Sequence, residues 1–125
     1  MSEHAAQVAD IMHRLAGCPV AIFDRDHVVS VSGAAKKEWN ARRVSPELED
    51  LMEQRKMYYA ENGALGMIPA EGVEKHAVAC LPIISAGDVT GAVAFLDDGS
   101  GAAVNHCQKT LLQAASQFLG PPLES

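Results

Sequence analysis

The sequence predicts an α+β domain in which helices at both chain ends cover one face of an antiparallel sheet. The segments near each terminus carry apolar residues at helical spacing. Between them, short runs rich in β-branched residues are separated by tight turns, a pattern typical of antiparallel hairpins. The length of 125 residues suits one domain of ordinary size. We therefore expect a single domain over residues 1–125.

The composition is that of a globular domain, with 48% hydrophobic and 21% charged residues. Ten Lys and Arg against sixteen Asp and Glu give a net charge of -6, which argues against nucleic acid or an anionic membrane as a direct partner. The N-terminus lacks the basic cluster and apolar core of a signal peptide, and no apolar run approaches the roughly 20 residues of a membrane span. These features predict a cytoplasmic protein.

The first third of the chain predicts a helix followed by a hairpin. Residues 3–16 carry Val8, Ile11, Met12 and Leu15 at helical spacing, and Gly17 is a suitable stop. The apolar run 19–24 favours a strand, and 27–32 alternates enough to be its hairpin partner.

The middle of the chain is less regular. Residues 34–42 predict a short helical turn, and Ser45-Pro46 is a strong helix start for a helix that runs to about Arg55. A short strand is expected at 57–60, and a weaker one at 65–68.

The last third contains the clearest strands, 76–85 and 89–97, joined by a compact turn in which Gly87 can adopt a positive φ. A second amphipathic helix is predicted over 105–119, terminated by Gly120-Pro121-Pro122. The resulting order of elements is helix, hairpin, helix, weak strands, strong hairpin, helix, which is that of an α+β fold.

A series of short motifs between residues 13 and 96 resembles the C-terminal domain of the stage V sporulation protein T family. The resemblance rests on their order and spacing, which is more specific than any single short motif. The motifs are Asp24-Arg25-Asp26, Val31-Ser32-Gly33, Lys36-Lys37, then Ser45, Leu48, Met52, Gln54 and Arg55, and finally Pro82-Ile83, Gly87-Asp88 and Gly91-Ala92-Val93.

This resemblance implies a GAF-like sensory domain related to a sporulation transcription regulator. It implies a small-molecule pocket between the sheet and the loops on the side away from the terminal helices. It also implies a homodimer formed through helices 3–16 and 105–119. Members of the family carry an N-terminal DNA-binding domain, and this chain begins within a few residues of its first predicted helix. We therefore expect no DNA-binding domain and a sensory or regulatory role.

Five residues are candidates for lining the ligand pocket. Ser30 and Ser32 give one face of the second strand a polar character, which suits either a pocket or solvent. Lys36 and Lys37 follow a Gly-containing turn and complete either an anion site or a solvated basic turn. Cys80 begins a buried strand, and there it is either a small core residue or a reactive thiol.

No pattern of catalytic or metal-ligating residues is present in the sequence. The three cysteines are isolated, and the five histidines lack the HxH or HxxxH spacing of metal ligands. We therefore expect no enzyme activity, no metal and no cofactor. Two alternatives to sensing remain open: a protein-interaction or dimerisation module that binds no ligand, and a small thiol-dependent redox enzyme.

Overall fold

The helices and strands follow one another in the order that the sequence predicts. The computed structural model describes residues 2–120, so the expected terminators Pro121 and Pro122 lie outside the described residues. The elements are α1 (Ser2–Ala16), β1 (Val20–Asp24), β2 (Val28–Ser32), α2 (Lys36–Trp39), α3 (Pro46–Gln54), β3 (Tyr58–Tyr59), β4 (Ala77–Ser85), β5 (Asp88–Leu96) and α4 (His106–Leu119).

The strands form one antiparallel sheet in the order β2-β1-β5-β4-β3. Two hairpins, β1–β2 and β4–β5, are joined through the non-local pairing of β1 with β5. In the β4–β5 turn, Ala86 and Gly87 both have positive φ, as the primed turns of tight hairpins require. The sheet therefore has buried central strands and two edges, β2 and β3.

The two terminal helices cover one face of the sheet, as predicted. Ala5, Ala9 and Met12 of α1 pack with Leu112 and Ala115 of α4 in a single apolar cluster. Alternate residues of the central strands supply the sheet side of this cluster, among them Val20, Ile22, Val93 and Phe95. The small alanines of α1 allow the helix to approach the sheet closely.

The opposite face is covered by helices as well as by loops. Trp39 of α2 and Leu48 and Met52 of α3 are buried in a second apolar cluster with Phe23 of β1. The intervening sheet residues Ala21, Ala92 and Ala94 belong to this cluster. Because α2 and α3 lie here, this face is more fully packed than a face closed by loops alone.

The helix ends follow local sequence chemistry. The Ser45 hydroxyl accepts a hydrogen bond from the Leu48 amide at 3.1 Å, so the predicted Ser-Pro start of α3 is confirmed. Asn105 and Gln108 form a reciprocal capping box at the start of α4.

The weak strand expected at 65–68 is reduced to one bridge between Met67 and Ala77, because Gly66 adopts a φ of 86°.

We expect Gly91→Ala to destabilise the domain more than Gly17→Ala. A Cβ at Gly91 would clash with the backbone carbonyl of Phe23 in the paired strand, and overpacking costs about 3 kcal/mol. Gly17 has a φ of 80° but open space around its Cβ position, so its substitution costs only about 1 kcal/mol of backbone strain. Urea unfolding of both variants measures the difference, and equal losses of stability would contradict the close approach.

Candidate functional site

A groove along the outer edge of β2 brings together two of the residues selected from the sequence, Ser30 and Lys36. Its cavity volume is about 140 Å³. We call it the β2 groove; it is lined by Val28, Val29, Ser30, Val31, Lys36 and Asn40. Drug-sized ligands occupy pockets of roughly 300–1,000 Å³, so this groove suits a small molecule or one polar end of a larger one.

The wall of the β2 groove opposite the strand is formed by α2 and by Asn40, which follows it. This four-residue helix is too short to be stable alone, so it depends on tertiary packing. Trp39, which is 0% exposed, supplies that packing against the sheet. Its indole Nε1 is buried and has no hydrogen-bond partner within residues 2–120. A buried donor left unpaired in this way costs about 1–3 kcal/mol, which an acceptor would recover.

Ser32 does not line the β2 groove, and its side chain lies against α1. It is buried, and its Oγ lies 3.5 Å from Nδ1 of His13. The His13 ring also covers Gly33, where an added Cβ would lie 2.7 Å from Nε2. Gly33 therefore leaves room for the imidazole, and the end of β2 is in contact with α1 through this histidine.

The two lysines of α2 differ in position. Both lysines are exposed, and only Lys36 is among the residues that line the β2 groove. Both remain close to the groove in sequence and contribute positive charge to this edge of the sheet.

Cys80 is far from the other candidates. Cys80 lies in β4 and pairs with Ala94 of β5. In the strand order, β4 is three positions from β2, which is a separation of about 14 Å at normal strand spacing. Its side chain is buried in the cluster on the α2–α3 face. Burial raises the pKa of the Cys80 thiol to about 12, which leaves it protonated at neutral pH.

The other two cysteines have contrasting environments. Cys18 is buried; this desolvation, followed by the charge of Asp98, raises the pKa of its thiol to about 11. Cys107 is exposed in the first turn of α4. Within residues 2–120, no group of three or more His, Cys, Asp or Glu side chains could hold a metal ion, and no helix is long and apolar enough to cross a membrane.

A second surface feature lies on the outward sides of α1 and α4. We call it the terminal-helix stripe; it comprises Val8, Ile11 and Leu15 of α1 with Leu111 and Phe118 of α4. Leu15 is 71% exposed and Phe118 is 50% exposed. The spacing of these residues places them on one side of each helix.

The two helices that carry the stripe are antiparallel and in contact at both ends. The rings of His4 and Phe118 meet edge to face with centroids 6.4 Å apart. At the other end, the Gln108 side-chain amide donates to the Ala16 carbonyl at 3.0 Å. The exposed apolar side chains of the stripe therefore lie on two adjacent antiparallel helices.

Sequence reasoning missed the part that Trp39 plays in packing the helix that forms one wall of the groove. The only signal was one large aromatic residue in a charged segment, and nothing local indicated that its indole N–H lacks a partner. Asn40 was missed for a similar reason, since it lines the β2 groove only after α2 has docked on the sheet.

Comparisons with known proteins agree on a family and on a fold. The sequence model of a family described as stage V sporulation protein T C-terminal, transcription factor, matches residues 1–124. Stage V sporulation protein T of Bacillus subtilis (strain 168) is 30% identical over 127 aligned residues, which cover 99% of this chain and 69% of that protein.

The solved structures similar to this chain have low sequence identity and show the fold alone. Residues 122 to 287 of a methyl-accepting chemotaxis protein match with a TM-score of 0.77 at 14% identity, covering 95% of this chain and 85% of that one. The GAF domain of an Acinetobacter phosphoenolpyruvate-protein phosphotransferase matches at 0.76 and 9% identity, covering 95% and 79%. A type II free methionine-R-sulfoxide reductase from Thermoplasma acidophilum matches at 0.62 and 9% identity, covering 94% and 90%. The predicted GAF-like fold is thereby confirmed.

We expect Cys107 alone to react rapidly with a thiol reagent in the native protein at about pH 8. The raised pKa values of Cys18 and Cys80, together with their burial, keep both as inaccessible thiols. Absorbance titration with an aromatic disulfide measures the reaction, with Cys107→Ser as the control that should abolish it. A rapid reaction that persists in Cys107→Ser would contradict this and revive a redox role.

Proposed function

Since the chain belongs to the stage V sporulation protein T C-terminal family, we propose that it is a cytoplasmic, non-enzymatic sensory domain. In this proposal it binds a small molecule at the β2 groove and works as a homodimer through α1 and α4. The domain regulates a partner rather than holding DNA itself, because its net charge of -6 opposes contact with a polyanion.

The observation that carries the sensing part is the presence of Lys36 in the lining of the β2 groove, together with Ser30 and Asn40. Trp39 ends the short helix that forms one wall of the β2 groove, and Lys36 of the same helix lines that groove. The ammonium group of Lys36 favours a ligand that carries a negative charge. We therefore propose a small anion or a metabolite with a carboxylate or phosphate as the ligand class.

Contacts between β2 and α1 offer a route from the groove to the dimer surface. The β2 strand lies between the groove on its outer edge and α1 on one face, where Ser32 and Gly33 contact His13. A ligand that moves α2 or β2 changes these contacts and so shifts α1. Because α1 also carries Ile11 and Leu15 of the terminal-helix stripe, ligand binding and subunit association are energetically coupled in this proposal.

The alternative is a dimerisation module that binds no ligand, and one observation favours it. The sheet face on which GAF-like pockets were expected is filled by Trp39, Phe23, Leu48 and Met52, all 2% exposed or less. If this packing leaves no ligand site, the terminal-helix stripe alone carries the function.

For dimerisation, we expect Leu15→Glu to weaken self-association by about tenfold or more. Leu15 is 71% exposed in the single chain, so the substitution spares the fold while placing a charge in the apolar interface. Leu65→Glu is the matched control, since Leu65 is 77% exposed in a loop away from α1 and α4. Sedimentation equilibrium measures the change; a monomeric parent protein, or equal effects of the two variants, would refute the proposed interface.

For ligand sensing, we expect native mass spectrometry of protein purified from its own host to reveal a retained small molecule. Lys36→Glu should abolish retention, because it reverses the charge that lines the β2 groove. Lys37→Glu makes the same change in net charge one residue away and should retain most of the ligand. Absence of any adduct in the parent protein, together with intact dimers, would support the alternative module.

A further inference from the structure

The helix α3 separates two different surfaces of the domain, and neither belongs to the β2 groove or the terminal-helix stripe. One flank of α3 carries Glu49 and Glu53, and Glu53 forms an exposed ion pair with Arg25 at 3.6 Å. The other flank faces the edge strand β3 and borders a groove with a cavity volume of about 250 Å³. Asp50 borders both surfaces, whereas Glu49 and Glu53 border only the first, so these two residues serve as controls for the second.

We call the second surface the α3 groove; it is lined by Glu47, Asp50, Leu51, Gln54, Tyr58 and Met67. Its apolar lining comes from three elements, since Leu51 lies on α3, Tyr58 on β3 and Met67 in the segment that bridges to β4. Leu51 and Tyr58 are half-buried, and Met67 is 6% exposed. These three side chains form the apolar floor of the groove, and solvent reaches this floor.

The rim of the α3 groove is acidic along α3. Glu47 and Asp50 are exposed, and no basic residue occurs within Pro46–Gln54. Burial first, and then the negative charge of Glu47, raise the pKa of Tyr58, and both side chains line the groove. The nearest basic residues in sequence, Arg55 and Lys56, follow the C-terminal end of the helix. The groove therefore has a negative end and an apolar centre.

From this arrangement we propose that the α3 groove docks a cationic amphipathic segment of a partner protein. An apolar side chain of that segment packs on Leu51, Tyr58 and Met67, and flanking Lys or Arg side chains face Glu47 and Asp50. Charge complementarity selects this occupant over an acidic one, because like charges facing each other across an interface are repelled. The recognition mode is that of an amphipathic helix laid in a groove. This surface gives the sensory domain a contact for its output that is independent of the ligand.

A defined peptide tests the proposal on the intact chain. The probe is a synthetic helical peptide of about 14 residues, in which Leu forms one face and Lys the other. Its control has Glu in place of every Lys. We expect the Lys peptide to shift the backbone amide resonances of α3, Tyr58 and Met67, and to bind more weakly as ionic strength rises. The Glu peptide should leave these resonances in place.

Two variants on opposite flanks of α3 separate the groove from the general acidity of the domain. Glu47→Lys should weaken binding of the Lys peptide by about fivefold, whereas Glu49→Lys should weaken it by less than about twofold. Both residues lie in the first turn of α3, so the two changes alter net charge and helix stability alike. Leu51→Asn should also weaken binding, because it removes part of the apolar floor while keeping the charge.

Several results would overturn the proposal. These are an absence of amide shifts at about 1 mM peptide, equal weakening by Glu47→Lys and Glu49→Lys, or shifts confined to the terminal-helix stripe. Shifts of the groove amides with protein concentration alone, without peptide, would assign the groove to a second copy of this chain and overturn it too. None of these results depends on whether the β2 groove binds a ligand or α1 and α4 form a dimer.

Discussion

The pairing of β1 with β5 is the constraint on which the rest of the structure depends. These two strands lie at the centre of the sheet, and they join one hairpin that ends at Ser32 to another that begins at Ala77. Gly91 permits the close approach of the Phe23 carbonyl, since any side chain there would meet backbone. Because both faces of these strands are buried, the sheet needs a cover on each side. The terminal helices supply one cover, and α2 and α3 supply the other.

Because the sheet is covered on both faces, the candidate binding surfaces lie at its edges and on the outer sides of the helices. The β2 groove lies at one edge, and the α3 groove lies beside β3 at the other edge. Four strand spacings separate these edges, a distance of about 19 Å. The terminal-helix stripe is a third surface, on the outward side of α1 and α4. These three surfaces lie at different places, so the ligand, the second copy and the partner that we propose would not compete for one surface.

The candidate site was predictable only in part, and the reason differs for each residue. Ser30 and Lys36 were identified because the strand, the turn and the short helix that carry them are adjacent in sequence. Ser32 was grouped with Ser30, but its contact with His13 depends on where α1 crosses the sheet. Cys80 was grouped with them by its place at the start of a buried strand, and the strand order then puts it three strands away. Local patterns carry no information about strand order, which is set by non-local pairing.

The sequence by itself determined the secondary structure, the antiparallel hairpins and the fold class, because apolar spacing, capping residues and turn glycines act locally. It also determined the family through the order of its motifs. Tertiary structure alone decided which residues meet. Among the residues that the structure describes, it buried Trp39 without a partner for its indole N–H. It placed α3 between two surfaces of different character, and it left Leu15 and Phe118 exposed on helices whose other sides are buried. The physical reason is that the burial of a residue depends on which helices and strands pack against it. In a sheet that is covered on both faces, these neighbours are in place only when the whole chain has folded.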